Sequence, residues 1–315
     1  MGKFEVGRYR FRWVSESGGP LPAFLGPSLR GGLGHVLRRL VCVTRLPDCG
    51  GCLLRYRCAY PVLFQPYAPT GVDQGGRYGR MPVPFVLRVP FGRSSPARLE
   101  PGQPLEFEMV LLGRANADLP YYLLALADLG RAGFGPTRHK LRLEQVAAWT
   151  PRGFVPVYEA EDSVVRADAP TFPLDRLLRE ADSPHGSRLT VRFVTPVRLD
   201  LRGDLVYPVG FHHLVRALDQ RLRALVACYG GPQAPEVPLA EADDARVVED
   251  RTRWVDLKRY STRQRTEMRI GGAVGTVTYE GANFSAFAPL LAFGEWLGVG
   301  KLTSMGLGRM EVLHP

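Results

Sequence analysis

The feature that most restricts how this chain can fold is an internal repeat. Residues 122–146 read YLLALADLGRAGFGPTRHKLRLEQV and residues 289–313 read PLLAFGEWLGVGKLTSMGLGRMEVL. Each stretch runs Leu-Leu-Ala, carries an acidic residue three positions later (Asp128, Glu295), and continues through a glycine-rich loop into a short alternating strand. The upstream regions also correspond. Arg8-Tyr9-Arg10-Phe11-Arg12-Trp13 alternates at period two, as a half-buried strand does, and a helix is expected over 28–43. In the second half, a strand at 189–193 precedes a helix over 211–229, which puts Leu214, Leu218, Leu222 and Leu225 on one face.

Between these landmarks the pattern predicts strand pairs at 84–91 with 105–113, and at 254–260 with 266–279. Each half then reads β-α-β-β-α-β, the split βαβ arrangement. The expected fold class is α+β: two tandem ferredoxin-like domains over 1–150 and 188–315. A Pro-, Asp- and Arg-rich segment, 151–187, reads as linker and peripheral structure. The first domain is stretched by a cysteine insert at 42–58 and a Pro/Gly/Arg loop at 65–82.

The insert holds four of the five cysteines, as Cys42-x6-Cys49-x2-Cys52-x5-Cys58. Around Asp48-Cys49-Gly50-Gly51-Cys52 the glycines let the backbone turn so that two sulfurs face one ion. Four thiolates suit a closed, structural zinc site, with an iron–sulfur cluster second. Redox Cys-x-x-Cys chemistry and unligated thiols are the alternatives. Cys228, on an apolar helix face, reads as core. The start of the chain lacks an apolar leader, and no run approaches the ~18 apolar residues of a membrane span. A cytoplasmic protein without a membrane partner is the expectation.

Charge becomes informative here. The net charge is +10, and of 41 basic residues 37 are Arg and 4 are Lys. A GC-rich genome accounts for such a bias; so does phosphate recognition, because guanidinium pairs with phosphate bidentately. The loop at 298–309, GVGKLTSMGLGR, is not a nucleotide-binding loop of the Walker kind, since Leu302 stands where Ser or Thr would meet magnesium. Nor is it a dinucleotide fingerprint, since it leads into a strand. Its glycines Gly298, Gly300, Gly306 and Gly308, beside Lys301 and Arg309, are expected to let amides and cations approach a phosphate backbone. A tight helix-to-strand connection is the plainer alternative.

Taken with the tandem fold, this loop resembles the RAMP superfamily of CRISPR proteins, and within it the endoribonucleases of the Cas6 type. Phe24-Leu25-Gly26-Pro27-Ser28-Leu29-Arg30-Gly31-Gly32-Leu33-Gly34 resembles the start of that family's first helix. Cys58-Ala59-Tyr60-Pro61-Val62-Leu63-Phe64 resembles a cysteine-containing branch, and Arg259-Tyr260-Ser261-Thr262-Arg263-Gln264 matches as well. The resemblance implies binding of precursor CRISPR RNA and cleavage within the repeat. The ribose 2′-OH attacks the scissile phosphate, leaving a 2′,3′-cyclic phosphate and a 5′-OH, with no catalytic metal. Its implied partners are CRISPR repeat RNA, mature guide RNA and other CRISPR effector subunits.

That chemistry needs a base near neutral pH, for which histidine is suited. His35, in the glycine-rich first helix where the family places its catalytic histidine, is the first candidate, with Arg38 and Arg39 within one turn. His212 and His213, at the start of the second-half helix, are the alternative. Adjacent helical residues point about 100° apart, so at most one of them is expected at a shared site. His139 is expected to face RNA or solvent, and His185 and His314 to lie on the surface. RNA-binding candidates are Arg138, Lys140, Arg259, Arg263, Arg265 and Arg269, with the glycine loop. A non-catalytic RAMP subunit that holds guide RNA as a scaffold is the competing function.

Overall fold

A computed structural model describes residues 4–67, 81–162, 164–166, 168–182, 184, 186–201, 203–230, 233–261 and 266–313. The chain divides into two compact units, Met1–Pro173 with Cys228–Gly230 and Leu174–Ala227 with Gly231–Pro315.

The first unit is built on strand β1 (Glu5–Ser15). Its period-two pattern buries Tyr9, Phe11 and Trp13 on one side and leaves Arg8, Arg10 and Arg12 on the other. Helix α1 (Leu25–Val41) follows, then the cysteine insert and the short α2 (Ala59–Phe64). Strands β2 (Phe85–Arg88) and β3 (Pro104–Leu112), helix α3 (Leu119–Ala132) and strand β4 (Leu141–Thr150) complete the β-α-β-β-α-β unit. The sheet order is β2-β3-β1-β4, all antiparallel, which is the ferredoxin-like order. Helices α1 and α3 pack together where Gly32 leaves room for Leu129. Residues assigned from sequence to the linker extend this sheet: β5 (Gly153–Glu159) pairs with β4.

The other face of the first sheet is ionic. Arg8 pairs with Glu108 at 2.7 Å, and Arg12 with Glu106 at 3.2 Å and Glu144 at 2.8 Å. Arg10 lies 3.8 Å over the Phe154 ring. Cross-strand pairing of opposite charges satisfies these arginines locally.

The second unit repeats the plan. Strand β6 (Arg188–Val197) leads to α5 (Phe211–Tyr229), the helix bounds expected from sequence. Leu214, Leu218, Leu222 and Leu225 are fully buried, each side chain contributing about 2 kcal/mol of transfer free energy. Strands β7 (Arg246–Asp250) and β8 (Arg253–Val255) precede a small hairpin of β9 (Lys258–Ser261) and β10 (Thr266–Arg269). Then come β11 (Gly272–Glu280), α6 (Ala288–Leu297) and β12 (Met310–Leu313). The order β7-β11-β6-β12 is again ferredoxin-like. A helix α4 (Leu174–Arg179), in the segment expected to be linker, packs on α6.

The second-half strand pair differs from the expectation. An edge strand at 246–250 lies ahead of the expected 254–260, which itself is split into 253–255, paired with β11, and 258–261, paired with 266–269, and the expected 266–279 is two strands. The break lies at Gly271 and Gly272, where a Cβ would meet Val255 O at 2.7 Å and Val197 O at 2.5 Å. The backbone is too crowded there for one ladder to continue, so 258–261 and 266–269 pair with each other outside the sheet. Among the described residues, no helix is long and apolar enough to cross a membrane.

Candidate active site and nucleic-acid interface

His35 sits in the middle of α1, on its exposed side. Gly31, His35 and Arg39 are all exposed and spaced four residues apart, so they form one open stripe. A Cβ built at Gly31 meets nothing within 4 Å, so the turn before His35 is bare. Arg39 is 60% exposed and reaches Asp128 at 3.9 Å, which orients the guanidinium without covering it.

Arg38, expected beside His35 at a phosphate, points elsewhere. Its Nη2 donates to Leu46 O at 2.6 Å and Pro47 O at 2.7 Å, and the guanidinium lies 5.7 Å over the Tyr60 ring. It is the clamp of the cysteine insert. The next residue in sequence lies about 100° away around the helix, which separates its role from that of Arg39.

His212 and His213 also depart from expectation. Their rings converge, Nε2 to Nε2 at 2.9 Å and centroid to centroid at 3.8 Å, because Gly210 leaves the space both occupy. Asp243 lies 4.0 Å from His212 Nδ1 and is held by Arg216 at 2.6 Å. Burial first, then the neighbouring His212 and Arg216 charges, push the His213 imidazole below its usual range. The pair therefore holds one ring against the other, with His213 kept neutral.

His139, expected near RNA or solvent, is buried. The ring fills the space beside Gly19, where a Cβ would come within 2.8 Å of it. Burial lowers its pKa, so it is a neutral core imidazole. His185 and His314 lie outside the described residues.

In the glycine loop, Gly298, Gly300, Gly306 and Gly308 all have positive φ, between 69° and 83°. A side chain at Gly300 would strike Arg198 O, and one at Gly308 would strike Val299 O. These close approaches account for the glycines by packing. The amides of Val299, Lys301 and Gly308 donate to Gly308 O, Arg198 O and Pro196 O at 2.9 Å each. Those amides, expected to face a phosphate backbone, are thus taken up inside the protein. What the loop presents is side chains. Lys301, 57% exposed, pairs with Asp200 at 2.7 Å and holds that carboxyl below its usual range. Arg309 pairs with Glu311 at 2.9 Å.

Among the other candidates, Arg138 is exposed with φ of 52°, and Lys140 donates to Arg131 O at 2.8 Å. Arg269 is exposed at the end of β10. Arg259 stands opposite Met268 in the hairpin register, its side chain outside the described residues, as are Arg263 and Arg265.

Cys42, Cys49, Cys52 and Cys58 line one cavity, together with Arg38. All are free thiols, and among the described residues no three potential ligands already stand close enough to share an ion.

Sequence reasoning missed the carboxylates that pair the expected RNA-binding cations: Glu311 for Arg309, Asp128 for Arg39 and Asp200 for Lys301. Asp200 and Lys301 are about a hundred positions apart, and no local pattern joins them.

The model of an N-terminal-domain family, AF_1859_N, matches residues 4–170. The model described as CRISPR-associated endoribonuclease Cas6 matches residues 191–310. A protein of Archaeoglobus fulgidus described only as uncharacterized is 27% identical over 296 residues, covering 93% of this chain and 92% of that one. Among solved structures, Thermus thermophilus Cas6 (TTHB231) is similar with a TM-score of 0.57 and 16% identity, covering 99% of this chain and all of that one. A product complex of Cas6 (TTHB231) gives a TM-score of 0.58 at 18% identity over 98% and 99% of the two chains. At such identities the likeness establishes a shared fold, the tandem ferredoxin-like architecture seen in this chain. The first match spans just over half of the chain, so the chain belongs to the family of that N-terminal-domain model, and its second half is similar to the CRISPR-associated endoribonuclease Cas6 model.

Proposed function

We propose that this protein binds precursor CRISPR RNA and cuts it within the repeat by metal-independent transesterification, with His35 as the general base. The observation that carries the reading is the exposed stripe of Gly31, His35 and Arg39 on α1. His35 takes the proton of the ribose 2′-OH, the 2′-oxygen bonds to phosphorus, and the bond from phosphorus to the 5′-oxygen breaks. A proton reaches the leaving 5′-oxygen, so one is taken and one given. The products are a 2′,3′-cyclic phosphate and a 5′-OH. Arg39, one turn beyond His35, supplies positive charge to the phosphorane, and Gly31 gives the RNA backbone room to approach.

The RNA is held through its backbone and shape. Lys301 and Arg309 in the glycine loop exchange their carboxylate partners for phosphate, while Arg138, Lys140 and Arg269 add exposed charge. Such a surface attracts RNA through counterion release, so affinity falls with salt. Partner proteins of the CRISPR system fit the same reading, since one similar structure is of a partial Cas6-RT-Cas1–Cas2 complex. This chain covers 47% of the matched chain there.

The test is cleavage of cognate repeat RNA in EDTA. Cutting that leaves a cyclic phosphate, abolished in His35→Ala with binding retained, supports the reading. Full cutting by His35→Ala sinks the His35 assignment. Tight binding without cutting by the wild type favours a guide-RNA scaffold instead.

A further inference from the structure

The cysteine insert is the part of the first unit least able to hold itself together. Between Cys42 and Cys58 there is no helix or strand, and Val43 and Leu53 are 76% and 84% exposed. The segment has too little apolar burial of its own to offset the conformational entropy of a fixed path. A few polar clamps position it. Arg38 holds Leu46 O and Pro47 O, Arg55 holds Gly50 O, and Arg114 donates to Tyr56 O at 2.7 Å.

Into one cavity of about 20 Å³ this insert directs four thiols from three separate pieces of backbone. Cys42 caps the end of α1, with its amide on Arg38 O. Cys49 and Cys52 flank a turn closed by the Cys52 amide on Cys49 O at 3.2 Å. Cys58 caps the start of α2. A cavity of that size has room for one ion, and its sulfurs are of the kind that bind soft or borderline metals.

We propose that Cys42, Cys49, Cys52 and Cys58 bind a single Zn²⁺ that staples the end of α1 to the start of α2. The four cysteines line the cavity, and among the described residues no three ligands yet stand close enough to share an ion, so binding draws the 49–52 turn inward until each Zn–S distance is about 2.3 Å. Open space around Gly51, where a Cβ meets nothing within 4 Å, leaves the turn free to make that adjustment. Four thiols release four protons to solvent as the ion binds, and the resulting centre carries two negative charges. The Arg38 guanidinium on the same cavity wall offsets them. With four protein sulfurs the ion has no open position for water, so its role is structural. By fixing the C-terminal end of α1, the clamp steadies the helix that carries His35.

The experiment is metal analysis of the full-length protein purified under reducing conditions. About one zinc per chain is expected, and replacement by Co²⁺ gives the intense visible absorption of a tetrahedral thiolate centre. Cys49→Ser/Cys52→Ser loses the zinc, while Cys228→Ser keeps it. Should the double variant fail to fold, the wild type still decides the matter. Thiol titration of the folded zinc form leaves four of the five cysteines protected until a chelator is added. Wild type that holds no zinc and takes up no cobalt overturns the proposal. So does iron with acid-labile sulfide, or zinc unchanged in the double variant. No arm of the test uses RNA cleavage, so its failure and that of the His35 reading are separable.

Discussion

Helices α1 and α5 occupy the same place in the two repeats, each following the first strand of its unit, and both carry histidine. In α1 the imidazole stands mid-helix, with a bare glycine one turn before it and an exposed arginine one turn after. In α5 two imidazoles at the first turn contact each other, held near an Asp243–Arg216 pair. The difference teaches that a histidine's neighbours, more than its place in a repeat, decide whether it can reach a substrate. One helix keeps an open stripe. The other closes its histidines into a local contact.

The comparison breaks most readily at His35. Replacing it by alanine is expected to lower the single-turnover cleavage rate by about 10²–10⁴-fold, the range for a general base, with RNA affinity unchanged in a filter-binding assay. Next comes the bare turn. Gly31→Gln is expected to slow cleavage about tenfold by crowding the imidazole, a cost of about 1.4 kcal/mol in the barrier. Gly31→Ala should instead raise stability by about 0.5–1 kcal/mol, since Ala is the better helix former and its methyl meets no neighbour. A Gly31→Gln enzyme with wild-type rates would show that the stripe does not face the RNA.

A smaller effect is expected on the α5 side. Because His213 has a folded pKa below its ordinary 6.5, its contribution to stability is present above that pH. The contribution is lost as pH falls through the folded value. Thermal melts of wild type and His213→Asn should therefore draw together as the pH is lowered from 7 towards 5. Parallel curves would contradict the half-buried, neutral ring. Smallest of all is the effect of His212→Ala/His213→Ala on cleavage at neutral pH, expected within about threefold of wild type. A loss comparable to that of His35→Ala would move the chemistry to the second unit. Lys301→Ala calibrates the interface: the slope of log affinity against log salt should fall by about 1.

Much of the fold was legible because it rests on local periodicity. The alternation Arg8 to Trp13 buried its aromatics as read, and the bounds of α5 followed from its leucine stripe. What was missed depended on tertiary crowding. The edge strand at 246–250 is exposed throughout and carries no alternating apolar signal, and the break at Gly271–Gly272 comes from Val255 and Val197 in neighbouring strands. At the candidate site, His35 was visible as a histidine in a glycine-rich helix. That Arg39 and not Arg38 shares its stripe required the path of the cysteine insert.

By itself, then, the sequence determined two β-α-β-β-α-β copies, a glycine loop before each last strand, and a set of histidines and cations from which a site could be drawn. Only the tertiary structure decided which of those groups are free to act. Lys301 found Asp200, Arg38 found two carbonyls, and His139 went into the core, while His35 kept its exposed face. The reason is physical. Periodicity is set by covalent spacing along the chain, whereas charge pairing and burial depend on partners that only folding brings within a few ångströms.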